Sequence, residues 1–292
     1  MMGPVARRFN PRGIAVTLTL LIMAAYAVAV GYLASQETRL VFAHGRPLAD
    51  GRPAAPFEQV RLAGAGGQQF GWVMRQPESA ERRLWLLYLH GNSATVASRT
   101  NLLRYEGFRA AGLNVLAPEY RGFGGVPGEP SESGLAEDAR AAYAYLRQTL
   151  QVEPERIVIF GWSLGSAVAV SLAADVASAG VILEGAPASL VAIGERDYPW
   201  MPVRLVMRNP FESILRVTRI RAPMLFLHSP EDEIIPYEEG RRLFEAAREP
   251  KTFVEVRGGH IRPAEADREK YFASVSSFLA GLRAASEVVR RY

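Results

Sequence analysis

Nine consecutive residues, 157 to 165, read IVIFGWSLG. The first four are apolar and three of these are β-branched, which is typical of a strand buried on both faces. The last five fit the pattern G-x-S-x-G, and the small residues that follow, SAVAVSLAA, favour a helix packed closely on a sheet. A sharp turn between a strand and a helix exposes the serine hydroxyl at the end of the strand. Ser163 is therefore the candidate nucleophile.

The same turn accounts for the two glycines of the motif. It forces the serine into a strained backbone conformation. A larger side chain at Gly161 or Gly165 would collide with the neighbouring strand or helix. Ser166 and Ser171, which follow in the helix, are interpreted as packing residues.

Short apolar runs alternate with helical patterns along most of the chain. Besides 157–160, seven segments are predicted to be strands: Phe57–Leu62, Gln69–Met74, Leu84–Leu89, Leu113–Ala117, Val181–Leu183, Met224–Leu227 and Thr252–Val256. Apolar residues also recur on one helical face from Leu135 to Leu150 and from Tyr271 to Leu282. This alternation predicts an α/β fold with a mostly parallel central sheet and helices on both faces.

The N-terminus carries a different signal. Residues Ile14 to Leu33 form a run of 20 without a charge, which as a helix would be about 30 Å long and would cross a bilayer core. Arg7, Arg8 and Arg12 precede the run, and the positive-inside rule keeps that end in the cytoplasm. We therefore expect a cytoplasmic tail over 1–13 and a transmembrane signal-anchor helix over 14–33.

This reading places residues 35–292 on the far side of the membrane as one α/β domain, which would be periplasmic in a bacterium. A small cap is expected at about 187–222, where the alternation breaks. Two alternatives remain open for the N-terminal run. Small-x-small patterns at 25–27 and 27–29 fit a signal peptide whose cleavage would release a secreted protein, and a buried core helix is the other.

Composition excludes several classes of function. The chain of 292 residues has 34 basic and 30 acidic side chains. Without the three N-terminal arginines, 31 basic residues face 30 acidic ones, so the domain is nearly neutral and unsuited to binding nucleic acid. Cysteine is absent, which excludes disulfide scaffolds and a cysteine nucleophile. Since no cluster has metal-ligand spacing, the sequence implies no metal or organic cofactor.

A serine hydroxyl needs a base to take its proton, and the base needs an acid to hold its tautomer. The chain has four histidines. His260 follows a glycine pair in a loop after the last predicted strand, and we predict that it is the base. Three acids follow the strand that ends near 227, and the middle one, Asp232, is the predicted acid. Asp138 and Glu184 are interpreted as structural carboxylates.

Five motifs together resemble the α/β-hydrolase superfamily, and more narrowly its membrane-anchored Bem46-type and ABHD-type serine hydrolases. They are Leu89-His-Gly-Asn92, Glu119-Tyr-Arg-Gly-Phe-Gly124, Gly161-Trp-Ser-Leu-Gly165, Asp232-Glu-Ile-Ile-Pro236 and Gly258-Gly-His260. The resemblance spans about residues 40–285, and the serine–aspartate–histidine order along the chain is the order of that fold. Two positions depart from the family pattern. Ser229 stands where relatives commonly have glycine, and Ile261 where an asparagine often follows the histidine.

The resemblance implies further site residues. An oxyanion hole would be formed by the backbone N–H groups of Leu164 and Asn92. Arg121 is expected to brace a loop through a salt bridge, with substrate contact as the alternative. Within the cap, Tyr198, Trp200 and Met201 either line an apolar acyl site or pack a small helix onto the sheet.

Three arginines of the cap also have two readings. Arg196, Arg204 and Arg208 form either a solvated face or a contact surface for anionic lipid headgroups. The sequence does not separate the two.

Taken together, these features predict a serine hydrolase that cleaves carboxylic esters or thioesters through a Ser-His-Asp triad and an acyl-enzyme. Its expected partners are a small-molecule or lipid-like acyl ester and, through the N-terminal helix, a membrane. A peptidase or acyltransferase on the same fold is an alternative. A non-catalytic scaffold protein is an alternative from a different class.

Overall fold

The computed structural model describes residues 11–76 and 83–289, with side chains up to 285. Of the predicted cytoplasmic tail, residues 1–10, including Arg7 and Arg8, lie outside the described residues. The strands are β1 (Glu58–Leu62), β2 (Gln69–Met74), β3 (Trp85–Leu89), β4 (Asn114–Pro118), β5 (Ile157–Trp162), β6 (Gly180–Glu184), β7 (Met224–His228) and β8 (Lys251–Glu255).

The helices range from single turns to 25 residues. They are α1 (Pro11–Ser35), α2 (Glu37–Val41), α3 (Gly64–Gly67), α4 (Arg99–Ala110), α5 (Glu132–Ala144), α6 (Leu164–Ala173), α7 (Leu190–Asp197), α8 (Val203–Val206), α9 (Ser213–Arg216), α10 (Tyr237–Ala246), α11 (Pro263–Ala266) and α12 (Arg268–Val289). A π-helical turn at Tyr145–Thr149 extends α5. The α5 and α12 segments cover the two helical faces expected from the apolar spacing.

All eight strands of the described residues belong to one sheet, in the order β1-β2-β4-β3-β5-β6-β7-β8. The first two are antiparallel to their neighbours, and β3 to β8 run parallel to one another. Each predicted strand coincides with an observed one, with ends that differ by at most two residues. The prediction of an α/β fold with a mostly parallel sheet is therefore confirmed.

Helices cover the sheet on both faces. Successive residues of a strand point to opposite sides of the sheet, so each buried strand contributes apolar side chains to both helical layers. In β3, Leu87 and Leu89 belong to one buried cluster, together with residues of α6. Leu86 and Tyr88 belong to the other cluster, together with residues of α4 and α12. Burial on both faces explains why these strands are continuous apolar runs. Because β3 to β8 run parallel, their carboxyl ends lie at one edge of the sheet.

Between β6 and β7 the alternation is interrupted by α7, α8 and α9. This segment lies where the cap is expected. The N-terminal helix α1 is long and apolar enough to cross a membrane, and it contacts the cap. The Tyr26 hydroxyl of α1 donates a hydrogen bond to the Trp200 carbonyl at 3.0 Å.

Candidate active site

The turn between β5 and α6 has the geometry that the G-x-S-x-G pattern predicts. Ser163 stands between strand and helix with φ 56° and ψ −123°. Its N–H donates to the Glu184 carbonyl of the adjacent β6 at 2.9 Å. A Cβ at Gly161 would collide with the Gly165 carbonyl, and one at Gly165 with the Leu89 carbonyl. Backbone therefore occupies the space beside both glycines, and no side chain fits there.

Three predicted side chains meet at this edge of the sheet. The His260 Nε2 atom lies 2.7 Å from the Ser163 hydroxyl oxygen, and its Nδ1 atom lies 2.8 Å from Asp232 Oδ2. The Ser163 residue is 7% exposed, His260 5%, and the Asp232 side chain 1%. The hydrogen bonds thus form a continuous, buried chain from hydroxyl to imidazole to carboxylate.

The second oxygen of Asp232 is held by its own loop. Oδ1 accepts hydrogen bonds from the backbone N–H groups of Ile234 and Ile235 at 2.9 and 2.8 Å. Burial by itself raises the pKa of Asp232, but the His260 hydrogen bond and charge and these two amides outweigh it. The pKa of Asp232 is therefore below its ordinary value, and the carboxylate is ionised at neutral pH.

Ser229, one of the departures from the family pattern, links the loops of the acid and the histidine. Its hydroxyl oxygen accepts from the Glu231 N–H and from the Gly259 N–H, both at 3.2 Å. Glu233 adds a second link, because its carboxylate accepts from the His260 N–H at 3.3 Å. The Ser229 hydroxyl therefore links the two loops that carry Asp232 and His260.

His228 is a neighbour of the acid that the sequence analysis did not assign. Its Nε2 donates to the Ile235 carbonyl at 3.1 Å and lies 3.5 Å from Asp232 Oδ2. Burial lowers the pKa of His228 despite the opposing effects of the Ile235 carbonyl and Asp232, so the ring is neutral at neutral pH. In the sequence, only its position four residues before Asp232 pointed to this contact. The contact indicates that His228 braces the loop that carries Asp232.

A buried ion pair lies beneath the histidine loop. Arg104 Nε donates to Glu184 Oε2 at 3.0 Å, and the Tyr271 hydroxyl donates to the same oxygen at 2.6 Å. The Arg104 and Glu184 side chains are 2% and 1% exposed. Burial alone would lower the pKa of Arg104, but Glu184 outweighs it and raises the value. The Arg104 guanidinium therefore stays charged inside the protein.

This pair reaches the site through two contacts. Arg104 Nη2 donates to the Ile261 carbonyl at 3.2 Å, and its guanidinium lies 4.3 Å from the centre of the Trp162 ring. The indole N–H of Trp162 in turn donates to the His260 carbonyl at 3.1 Å. Arg104 is thus a positioning residue for the loop that carries His260. The interpretation of Glu184 as structural agrees with its contacts.

We expect Arg104→Met to destabilise the protein by about 3–5 kcal/mol, because it leaves the Glu184 carboxylate buried without its partner. The matched control is Arg140→Met, which removes an ion pair to Asp175 from a side chain that is 46% exposed. Its effect should stay within about 1 kcal/mol. Urea unfolding of both full-length variants in detergent measures the difference. Equal losses of unfolding free energy would contradict the role assigned to Arg104.

The two predicted oxyanion donors border the site. Leu164 is the first residue of α6, where a helix leaves its N–H groups without intrahelical acceptors. The Asn92 side chain is engaged elsewhere: it accepts from the Ala43 N–H and donates to the Val41 carbonyl, both at 2.8 Å. This leaves the backbone N–H as the group of Asn92 that can serve an anion. Both residues line the cavity described below.

Two buried carboxylates brace the loops around this part of the site. Glu119 contacts His90 Nε2 at 2.8 Å and accepts from the Val96 N–H at 3.0 Å. Asp138 holds Arg121 through hydrogen bonds of 2.8 to 3.1 Å. The contacts of Arg121 are those of a residue that braces a loop through a salt bridge, the first of its two readings. The contacts of Asp138 agree with its interpretation as a structural carboxylate.

A cavity of about 530 Å³ opens beside Ser163. Tyr198 and Met201 line it, in agreement with the first of the two readings, but Trp200 lies outside. The Trp200 ring is turned outward, 49% exposed, and packs edge-on against Tyr26 with ring centres 6.3 Å apart. The expectation for Trp200 is corrected accordingly: the aromatic contact with α1 holds the side chain away from the cavity.

The N-terminal helices also contribute to the cavity wall, which the sequence analysis missed. Leu33 and Ala34 at the end of α1 and Leu40 of α2 line it together with residues of the cap. These residues come together with Ser163 across more than 120 positions of the chain. An apolar run signals that a helix is present, but no local pattern in it signals this contact.

Comparisons with known proteins agree with this architecture. The family model described as the alpha/beta hydrolase family matches residues 40–215. An uncharacterized protein of Mycobacterium tuberculosis is 35% identical over 253 residues, covering 86% of this chain and 89% of that protein. The lysophosphatidylserine lipase ABHD12 of Danio rerio is 30% identical over 185 residues, covering 57% of this chain and 48% of the relative.

Among solved structures, the esterase Pf2001 of Pyrococcus furiosus superposes with a TM-score of 0.68. The match covers 81% of this chain and 98% of the esterase at 19% sequence identity. This likeness concerns the fold.

Proposed function

The chain belongs to the alpha/beta hydrolase family, and on this premise we propose that it is a serine hydrolase acting on carboxylic esters or thioesters. The proposal is carried by the buried hydrogen-bonded chain from the Ser163 hydroxyl through His260 to Asp232. The lipase among its relatives and the esterase of similar fold support this class of reaction.

In the proposed reaction, the Ser163 oxygen attacks the carbonyl carbon of the substrate while His260 Nε2 takes the hydroxyl proton. The C–O or C–S bond then breaks, and His260 returns the proton to the leaving alcohol or thiol. An acyl ester of Ser163 remains. Water, activated by His260 in the same way, attacks this ester and releases the carboxylic acid and the free serine.

Asp232 has a supporting role in this scheme. Its carboxylate keeps the Nδ1 proton of His260 in place, so that Nε2 is free to act as base, and it stabilises the imidazolium that forms. The lowered pKa of Asp232 supports this role, because the group must stay negative while His260 becomes positive.

The charge that develops on the substrate oxygen would be received by the backbone N–H groups of Leu164 and Asn92. Such donors act before and during the reaction without moving, and each is worth roughly 3 kcal/mol in the transition state. Leu164 has the stronger support, since its N–H is at the start of α6 directly after the nucleophile.

The cavity supports an acyl substrate. Its volume lies within the range of about 300–1,000 Å³ typical of small-molecule sites. Most of the lining side chains are apolar, and Ser163 and His260 are among the polar ones. An alkyl or acyl chain fits these walls better than a charged or strongly hydrated group.

We also propose that α1 is retained as a membrane anchor with its N-terminus in the cytoplasm and the catalytic domain on the far side. Arg12 at the start of α1 supports this orientation. Retention is supported by the contact of α1 with the cap, because cleavage near residue 30 would remove Tyr26 and with it the hydrogen bond to the Trp200 carbonyl.

A fluorophosphonate probe tests the nucleophile directly. We expect the full-length protein in detergent to bind one equivalent, because an activated serine attacks phosphorus as it attacks a carbonyl. Peptide mass mapping should place the adduct on the peptide that contains Ser163. Folded protein that remains unlabelled would overturn the proposal and favour the scaffold alternative. An adduct on another residue would overturn Ser163 as the nucleophile.

A further inference from the structure

The exposed apolar side chains of the described residues are not spread evenly. Outside α1, six large ones are exposed: Leu40, Trp200, Leu205, Leu215, Ile234 and Ile261. Three of these, Leu40, Ile234 and Ile261, line the mouth of the cavity. Trp200 and Leu205 belong to the adjoining cap. Clustered exposed apolar surface of this kind marks an interaction site.

One face of α1 continues this surface. Tyr26, Val30, Leu33 and Ala34 follow the spacing of a single helical face. Tyr26 contacts Trp200, Val30 is 9% exposed, and Leu33 and Ala34 line the cavity. The second half of α1 is therefore packed along the cap and the cavity, while its other faces remain open.

The Tyr26 contact fixes how deep the cap lies relative to this helix. Tyr26 is seven residues before Leu33, the last residue of the apolar run, which corresponds to about 10 Å along the axis. If the run lies in hydrocarbon, Trp200 lies at the boundary layer or below it. Tryptophan is enriched at that depth in membrane proteins.

The junction between anchor and cap is held firmly. The Glu37 carboxylate is buried and accepts hydrogen bonds from the backbone N–H groups of Arg208 and Asn209 at 2.7 to 2.9 Å. The Asn209 side-chain amide adds a fourth bond at 3.0 Å. This clamp joins α2 to the cap, so the position of the cap follows that of α1.

We propose that this face, defined by Trp200, Leu205 and the cavity mouth at Leu40, Ile234 and Ile261, docks into the bilayer that α1 enters. Acyl chains then pass from the bilayer into the cavity without crossing water. This deepens the proposed function, on which it rests, by naming its substrates as long-chain esters or thioesters that reside in that membrane.

The charges around the face favour hydrocarbon over anionic headgroups as the occupant. Arg196 pairs with Asp197 at 2.7 Å, and Arg204 lies 3.4 Å from Glu195 and 3.6 Å from Glu212. Two of the three cap arginines, Arg196 and Arg204, therefore already have carboxylate partners. The docking should therefore take place on vesicles of neutral phosphatidylcholine.

Tryptophan fluorescence tests the docking without reference to catalysis. Trp72, Trp85 and Trp162 are buried, so Trp200 is the indole that can meet a quencher in the lipid. The full-length protein and its Trp200→Phe variant are reconstituted in phosphatidylcholine with or without brominated acyl chains. The emission difference between the two proteins should disappear in brominated lipid. A difference that persists unchanged would place Trp200 in water and overturn the proposal.

A second test concerns substrate entry. Leu205 is 84% exposed and points away from the cavity, whose wall is formed by its neighbours Val203 and Val206. Leu205→Asp should lower hydrolysis of a long-chain ester embedded in vesicles by about tenfold or more, because a carboxylate is expelled from hydrocarbon. Turnover of a soluble butyrate ester should be unchanged.

The matched control is Leu215→Asp. Leu215 is 69% exposed and belongs to α9, which packs against α6 and α10. It is not among the described residues that line the cavity. It should leave both activities unchanged. Equal losses for the two variants would overturn the docking face. If neither substrate is hydrolysed and the fluorophosphonate does not bind, the proposed function fails, while the quenching result still decides the docking.

Discussion

Replacing Ser163 by alanine should abolish ester hydrolysis, with kcat lower by about 10⁴- to 10⁶-fold. The reason is that alanine removes the atom that forms the acyl bond and leaves the remaining groups in place. The Ser163 hydroxyl is 2.7 Å from His260 Nε2, so no other side chain needs to move for the proposed attack. Turnover of a short-chain nitrophenyl ester by the purified variant measures this effect, and labelling by the fluorophosphonate should be lost with it.

The control for this variant is Ser171→Ala in the same helix. Ser171 is buried, and its hydroxyl oxygen accepts from Arg216 at 2.7 Å, so the substitution tests the loss of a buried hydroxyl away from the reacting atoms. Its kcat should stay within severalfold of the parent. Residual turnover of Ser163→Ala at the level of this control would rule out the proposed nucleophile.

The second large effect is expected from Asp232→Asn, which should lower kcat by about 10⁴-fold. An amide at this position donates a hydrogen bond to Nδ1 and stabilises the wrong tautomer of His260. Since the loop amides of Ile234 and Ile235 still find an oxygen acceptor, the fold should survive. Glu231→Gln, at an exposed acid one residue earlier, should retain nearly full activity. Comparable losses in the two variants would refute Asp232 as the acid.

The lowered pKa of Asp232 also predicts how stability depends on pH. The folded protein binds this proton less readily than the unfolded chain, so the group adds stability at pH values above its unfolded pKa. That contribution is lost as the pH falls below about 4 and through the lower folded-state pKa. The midpoint temperature of thermal unfolding should therefore fall more steeply with decreasing pH in this acid range for the parent than for Asp232→Asn. Parallel curves would show that the carboxylate is not stabilised in the folded state.

The fold was predictable because its signals are local. A strand buried on both faces requires apolar side chains at every position, and runs such as Leu84–Leu89 carry that requirement in the sequence itself. The spacing of glycine and serine around 163 is likewise a property of one turn. The proximity of His260 and Asp232 was predictable for a related reason, because loops that follow parallel strands meet at one edge of the sheet.

Contacts between distant segments left no such trace. Glu37 is an ordinary acid in the sequence, and its clamp on Asn209 depends on how a helix and a cap 172 positions apart are placed in space. Trp200 was expected either to line the cavity or to pack a small helix onto the sheet, and its outward orientation follows from its contact with Tyr26. Arg104 stood in an unremarkable helical pattern, and only the packing of α4 shows its contact with the His260 loop.

The backbone at Ser163 shows what this turn demands of the chain. A φ of 56° with a ψ of −123° lies in a region that glycine enters freely, and a residue with a side chain is less stable there by about 1–3 kcal/mol. Packing gives no reason to prefer serine at this position, because glycine would relieve the conformation. Folding and the proposed catalysis therefore make opposite demands on residue 163, and the hydroxyl is present at the expense of thermodynamic stability.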